Sequence, residues 1–225
     1  MRRLLLQTAL GFSFLMLVMT LALFIPAGSL RYWQGWVYLA VFAGCTLLIT
    51  AWLFRNDPGL LSRRVQAGPV AETQRSQQIL QSLASLCFIL LFIVPGLDYR
   101  FGWSHVPPAL SLIAAAGVAL GFYFVFLVFR ENSYTSATIQ VAEDQRLITS
   151  GPYARVRHPM YAGAGLLVLA TPLALGSWAA LPLPFLLMAV IVLRLLDEEK
   201  YLAAHLPGYQ EYQQQVPYRL LPGVW

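Results

Sequence analysis

The sequence predicts an all-α, polytopic membrane protein with four spans, a C-terminal helical hairpin and an amphipathic C-terminal segment. Three observations carry that expectation. Of the 225 residues, 58% are hydrophobic and only 11% charged, whereas a soluble domain carries about 25% charge. The apolar residues gather into runs close to the ~20 residues a helix needs to cross a ~30 Å hydrocarbon layer. The lysines and arginines, finally, alternate between the connections instead of spreading evenly.

The first run, Leu4–Ile25, follows "MRR" and has the look of a secretion signal. Its apolar stretch exceeds the usual ~7–15 residue core of a signal and ends at Pro26 without a small-residue cleavage site, so a retained helix is expected. Trp33–Phe54, Ile79–Leu97 and Pro108–Phe129 supply the second, third and fourth spans. Gly117 and Gly121 form a small-xxx-small pattern in the fourth, a packing signal that lets a neighbouring helix come close. The last block, Tyr161–Leu196, is too long for one straight span, and Gly176, Pro182 and Pro184 interrupt it. Two helices joined by a tight turn are expected there, Tyr161–Leu175 and Trp178–Leu196, the first short for a full crossing. Residues 1–130 then form a membrane scaffold, and 131–225 the functional region of the same domain.

Lys and Arg number two at the N-terminus, four in the second-to-third connection, four in the fourth-to-fifth and three in the C-terminal part. The two remaining connections hold one each, Arg31 and Arg100. Positive-inside bias therefore places the N-terminus, both long loops and the C-terminus in the cytoplasm. The net charge of +5 is thus a topological map and no sign of a nucleic-acid partner. Trp33, Trp36, Trp103, Trp178 and Trp225 fall near expected helix ends, as interfacial anchors do. Cys45 and Cys87 lie inside spans, which argues against a disulfide framework or a metal knuckle, and no metal is expected.

Two polar clusters fall on the cytoplasmic side. "GPYARVRHPMYAG", Gly151 to Gly163, crowds Arg155, Arg157 and His158 at the foot of an apolar run. A residue before proline is pushed out of the α region, and proline suits the first helical position, so a helix starts at Pro159 with His158 as its cap. Backbone N–H groups at such a start attract anions. Read locally, the cluster is either a positively charged interfacial anchor or a ligand site. The second cluster, "RLLDEEKYLAAHLPGYQEY" from Arg194 to Tyr212, lies where the last apolar run meets water. Arg194 and Glu198 are four apart and share a helix face, whereas Glu199 points about 100° away. It reads equally as a solvated helix end. The connection before the first cluster adds Glu131, Asn132, Ser133, Glu143 and Asp144. The hairpin brings Pro159–Tyr161 towards Arg194–Glu199. Together they offer donors for a carboxylate, acceptors for ribose hydroxyls or an amine, and tyrosines to stack on a ring or cation. That inventory suits a charged, adenosine-bearing cofactor, which residue types alone do not name.

The stretch "NSYTSATIQVAEDQRLITSGPYARVRHPMYAG", then Arg194 with "DEEKYL", then "GYQEYQQQVPYRLLP", resembles the isoprenylcysteine carboxyl methyltransferase family and its wider phospholipid methyltransferase group. The resemblance covers Asn132 to Pro222. It implies an integral membrane enzyme that uses S-adenosylmethionine in a cytosol-facing pocket. By motif position it implies that Tyr153, His158 and Tyr161 line the cofactor site, beside Arg157, with His158 holding the methionine carboxylate. Glu198 or Glu199 would bind the cofactor's polar groups, and Arg194 would sit nearer the acceptor. Val216-Pro217-Tyr218 matches the family's closing segment, so Pro217 and Tyr218 would help to cover the cofactor.

The implied partner is a lipophilic or lipid-tailed acceptor drawn from the membrane. A carboxylate acceptor arrives ionised and is oriented by Arg194; an amine must first lose a proton, which makes Glu198 or Glu199 a candidate base. The C-terminal "GYQEYQQQVPYRLLPGVW" also resembles sterol reductases, which use a dinucleotide. Those enzymes carry R-H-x-N-Y-x-G-D where this chain has "RHPMYAGA", and Pro159 and Ala164 favour methyl transfer. A non-catalytic membrane protein that keeps the fold is the remaining alternative.

Overall fold

A computed structural model of the chain describes residues 1–65, 75–135 and 145–225; Glu143 and Asp144 lie outside the described residues. Eight α-helices occur among them, in the order α1 (Arg2–Ala27), α2 (Trp33–Asn56), α3 (Pro58–Val65), α4 (Arg75–Phe101), α5 (Pro108–Glu131), α6 (Pro159–Ala174), α7 (Pro182–His205) and α8 (Tyr209–Gln215). Helices α1, α2, α4 and α5 are long and apolar enough to cross a membrane. The four expected spans therefore stand, α1 and α4 lengthened by a few residues at both ends and α2 and α5 by two at the C-terminal end. On α1 the side chains of Leu6, Leu10, Phe14 and Leu17 are exposed, the surface expected where lipid is the solvent.

The core gathers Met19 and Leu23 of α1, Tyr38 and Phe42 of α2, Leu91 and Phe92 of α4 and Val118 of α5 against Val168 of α6. Without a hydrophobic drive between helices in lipid, close packing has to supply the attraction. The most extensive helix contact among the described residues joins α5 to α6. A Cβ on Gly121 would lie 2.8 Å from the Leu167 backbone nitrogen and 2.9 Å from the Gly163 carbonyl, whereas one on Gly117 would meet only Ala170 Cβ at 3.4 Å. The two glycines of the expected packing pattern are thus unequal. Gly121→Ala is expected to lower the unfolding temperature in detergent, by an overpacking cost of about 1–3 kcal/mol. Gly117→Ala is expected to be neutral or stabilising, since alanine is the better helix former by about 1 kcal/mol.

Helix α6 starts at Pro159 with His158 as its cap residue, as the His-Pro step predicts. Its 16 residues span about 24 Å, short of the hydrocarbon layer. Helix α7 departs from expectation at both ends. Trp178–Leu181 forms the turn, and Pro182 opens the helix. The helix then continues past Leu196 to His205. Asp197–His205 contains Glu, Lys, Leu and Ala, residues that sustain a helix after its apolar face has ended. Arg194–Glu199 therefore sits within α7 and is no frayed, solvated end.

The short α3 was expected only as a connector. Its start carries a local signal: Asp57 precedes Pro58, and the Asp57 carboxylate accepts the Leu60 N–H at 2.8 Å, a side-chain N-cap followed by proline in the first turn. Arg63 of α3 donates to the Ser133 carbonyl, which ties together the two arginine-bearing connections. At the other end of the bundle, buried Asp98 accepts from the Ser104 backbone N–H and from the hydroxyls of Ser104 and Ser177. That carboxylate joins the α4–α5 and α6–α7 turns.

Candidate active site

The segment before α6 is shaped by backbone constraints. Gly151 has φ 58° and opens a single 3₁₀ turn over Gly151–Ala154. The chain then turns at Arg155 and bends at Arg157 before His158, and there its backbone pairs with the C-terminal segment. The Arg157 N–H donates to the Tyr218 carbonyl and the His158 N–H to the Arg219 carbonyl, both at 2.9 Å. The N–H of the helix-cap residue is therefore committed to the chain's own closing segment and not open to an anion.

Beneath that pairing Glu199 is 5% exposed and anchors three cationic or imidazole side chains. Its Oε1 accepts from Arg157 Nε at 2.7 Å and lies 3.2 Å from His158 Nε2, while Oε2 accepts from Arg219 Nε at 2.9 Å. Arg157 also donates Nη1 to the Val216 carbonyl at 2.7 Å. Burial alone raises a carboxyl's pKa, but the hydrogen bonds from His158, Arg157 and Arg219 outweigh it and hold Glu199 at about 2.

Helix geometry separates the adjacent carboxylates. Glu198 points about 100° round α7 from Glu199 and accepts the Tyr161 hydroxyl at 2.6 Å. Arg194, buried on the same face, donates Nε to that hydroxyl at 3.3 Å and Nη1 to Gln77 Oε1 at 3.0 Å. Gln77, fully buried in the first turn of α4, donates its amide to Asp197 at 3.1 Å. Arg194 is thus braced from two sides, and Tyr161 links it to Glu198.

These groups border a cavity of about 760 Å³. Tyr153, Arg157, His158, Tyr161, Arg194 and Glu198 all line it; Glu199, Pro217 and Tyr218 do not. Glu199 stands behind the wall as its electrostatic brace. Tyr218 contributes its carbonyl to Arg157 and leaves its side chain exposed. Away from the polar end, the cavity continues as an apolar arm between α1, α4 and α7, walled by Phe14, Val18, Phe88, Ile89, Leu187 and Ile191. Phe14 and Ile89 are also exposed on the outer face of the bundle, so the arm reaches the surface between α1 and α4.

Several lining residues carry no expectation from sequence. Asn132 donates to the Tyr153 hydroxyl at 3.0 Å, and Tyr212 donates its hydroxyl to the Tyr153 carbonyl at 2.7 Å. Burial pushes the Tyr153 hydroxyl up to about 12, so it stays protonated. Tyr209 and Tyr212 lie three apart on α8, the spacing of one helix face, which is the signal that could have found them. Arg64 also reaches the cavity and stacks over Phe129; Gln77 sits in a polar stretch with no motif to mark it. No cluster of His, Cys, Asp and Glu arranged to hold a metal occurs among the described residues.

Residues 110–207 match the model of the phospholipid methyltransferase family. The chain is 34% identical over 135 residues to a cobalt-zinc-cadmium resistance protein of Cupriavidus metallidurans, covering 57% of this chain and 58% of that one. It is 37% identical over 91 residues to a Delta(14)-sterol reductase of Mus musculus, 39% of this chain and 22% of the relative. It is 35% identical over 77 residues to a protein-S-isoprenylcysteine O-methyltransferase of Schizosaccharomyces pombe, 33% of each chain. The chain thus spans between about a fifth and three-fifths of the length of these curated relatives. The matched segment runs from α5 to the end of α7 and supplies Tyr153, Arg157, His158, Tyr161, Arg194 and Glu198, the polar end of the cavity. Residues 110–207 thus match the phospholipid methyltransferase family, and the partial relatives include one of the isoprenylcysteine type, in a chain whose described helices include four that are apolar and long enough to cross a membrane.

Proposed function

We propose that the chain is an S-adenosylmethionine-dependent methyltransferase that modifies a lipophilic carboxylate at the cytosolic face of the membrane. The observation that carries this reading is the junction at Arg194–Tyr161–Glu198, where a polar chamber meets an apolar arm open towards lipid. The polar chamber has the donor set for the cofactor: Arg157 and His158 for a carboxylate, Glu198 for a cationic or hydroxylic group, and tyrosine hydroxyls. When bound, the cofactor supplies a methyl group already activated on a sulfonium, so positioning accounts for most of the acceleration.

The protein's own part is binding and orientation. The apolar arm takes the acceptor's tail, and burying each methylene there contributes about 0.8 kcal/mol. Arg194, braced by Gln77, holds the acceptor carboxylate by a charge-assisted hydrogen bond. A carboxylate is ionised at neutral pH and needs no base. The Glu199 brace keeps Arg157 and His158 in place on the opposite wall, and the paired closing segment keeps bulk water from that side. The distribution of arginines supports a cytosolic mouth, where the cofactor is available.

A second reading takes an amine of a phospholipid as acceptor. The family description of residues 110–207 favours it, and Glu198, which faces the cavity, would then accept the amine's proton. Purified protein in lipid nanodiscs, given methyl-labelled S-adenosylmethionine and either an S-prenylated N-acetylcysteine or phosphatidylethanolamine vesicles, separates the two. A base-labile methyl ester on the thioether acid is the expected product; a labelled phospholipid base would favour the amine. Folded protein that fails to bind S-adenosylhomocysteine but oxidises NADPH would sink both and leave the reductase alternative.

A further inference from the structure

We propose that the Tyr209 hydroxyl is a hydrogen-bond donor to the nucleoside part of the bound cofactor, an inference that rests on the cofactor reading above. Tyr209 is 3% exposed, lines the cavity and has no hydrogen-bond partner for its hydroxyl among the described residues. Buried polar groups in folded proteins are nearly always paired, and leaving one unpaired costs about 1–3 kcal/mol. Such a group, on a side chain that lines a cavity beside an assembled polar site, marks where a ligand atom completes the pairing.

The ring cannot easily turn elsewhere to find a partner. It packs with Leu206, Tyr212 and Val216, with Leu147 and Leu202 against them. Its neighbour Tyr212 stands 5.8 Å away between ring centroids and is itself fixed by the bond to the Tyr153 carbonyl. Gly208, at φ 82°, sets the start of α8 and with it the position of the ring.

The surroundings define the kind of atom that would accept. Leu147, Ile148, Leu202 and Leu206 make this end of the cavity apolar, as a flat heterocycle requires. Burial, and then the nearby charges of Glu199 and Glu198, push the Tyr209 hydroxyl well above its ordinary pKa, with Arg157 only partly opposing them. The hydroxyl therefore remains a donor, in a local field that disfavours a further anion. A neutral acceptor, a ring nitrogen or a ribose oxygen, fits this spot, and the cofactor's carboxylate belongs at the Arg157–His158 wall. Tyr209 would thus read the nucleoside, a role separate from the carboxylate grip assigned to His158.

The test compares wild type and Tyr209→Phe in detergent by calorimetry and thermal unfolding, with S-adenosylhomocysteine and adenosine as probes. Loss of one neutral hydrogen bond is expected to weaken both probes about 5- to 10-fold. Unliganded Tyr209→Phe should unfold at the same temperature as wild type or higher, because the substitution removes an unpaired buried hydroxyl. Unchanged affinity for both probes in Tyr209→Phe overturns the inference while leaving the cofactor reading intact. So does a lower unfolding temperature without ligand, which would show a partner within the protein. Folded wild type that binds neither probe overturns the cofactor reading and the inference with it.

Discussion

Arg194→Ala is expected to reduce methyl transfer by about 100-fold or more, the scale of loss when a reacting group is no longer positioned, while S-adenosylhomocysteine still binds. The expectation rests on where the guanidinium sits. Arg194 lies at the mouth of the apolar arm, held by the Gln77 side-chain amide oxygen at 3.0 Å and the Tyr161 hydroxyl at 3.3 Å. The Arg157–His158 wall stands on another element and does not depend on it. Arg194→Lys should rescue only part of the rate, since an ammonium keeps the charge but lacks the planar fork. Gln77→Ala, which removes a brace and no cavity-lining group, should raise KM for the acceptor more than it lowers kcat. The measurement is initial rate against acceptor concentration, beside calorimetry of S-adenosylhomocysteine. Turnover of Arg194→Ala within a few-fold of wild type would rule out the acceptor-side role; loss of S-adenosylhomocysteine binding would move Arg194 to the cofactor side.

Glu199→Gln is expected to produce the largest loss of stability. A buried carboxylate that meets two arginines and a histidine leaves uncompensated charge when it is neutralised, at a cost of about 3–5 kcal/mol. The loss should concentrate at the C-terminus, because Arg157 holds the closing segment to the chain just before α6 and Arg219 holds it to Glu199 of α7. Faster proteolysis after Val216 and weakened S-adenosylhomocysteine binding are the expected signs. The pH dependence has a definite direction. The carboxyl stands at about 2 in the folded protein against an ordinary value of 4.5, so folding favours its ionised form. The stabilisation is complete above about 4.5 and is lost as pH falls from there through about 2. Unfolding temperature measured across that window should fall steeply in wild type and more gently in Glu199→Gln. A parallel pair of curves would exclude Glu199 as the titrating brace.

Glu199 and its neighbour Glu198 are adjacent residues of "RLLDEEKYL" that the sequence treats alike. Either glutamate could bind the cofactor on residue type alone. Helical rotation about 100° per residue says that they face different ways, but not which neighbour each meets. That depends on Tyr161 arriving from α6 and on Arg157 and Arg219 arriving from two other segments, placements made by packing across as many as 42 positions of sequence. The same holds for Gln77, whose partner Arg194 lies 117 positions away. A lone glutamine in a polar stretch carries no periodic or spacing signal that could announce such a contact.

What the sequence by itself determined follows from short-range physics. Long apolar runs specify α1, α2, α4 and α5 because a ~30 Å hydrocarbon layer demands them. His158-Pro159 specifies the start of α6 through the steric effect of one ring on the preceding residue. The Asp57-Pro58 cap of α3 was equally local, though its eight residues are too few for periodicity to show. The end of α7 is not marked by hydropathy, which reports the solvent around a helix and not its hydrogen bonds; those continue to His205. Only the tertiary structure decided which side chains face the cavity and which stand behind it. Burial, pairing and an orphaned Tyr209 hydroxyl are properties of groups brought together from distant segments, and no local pattern encodes them.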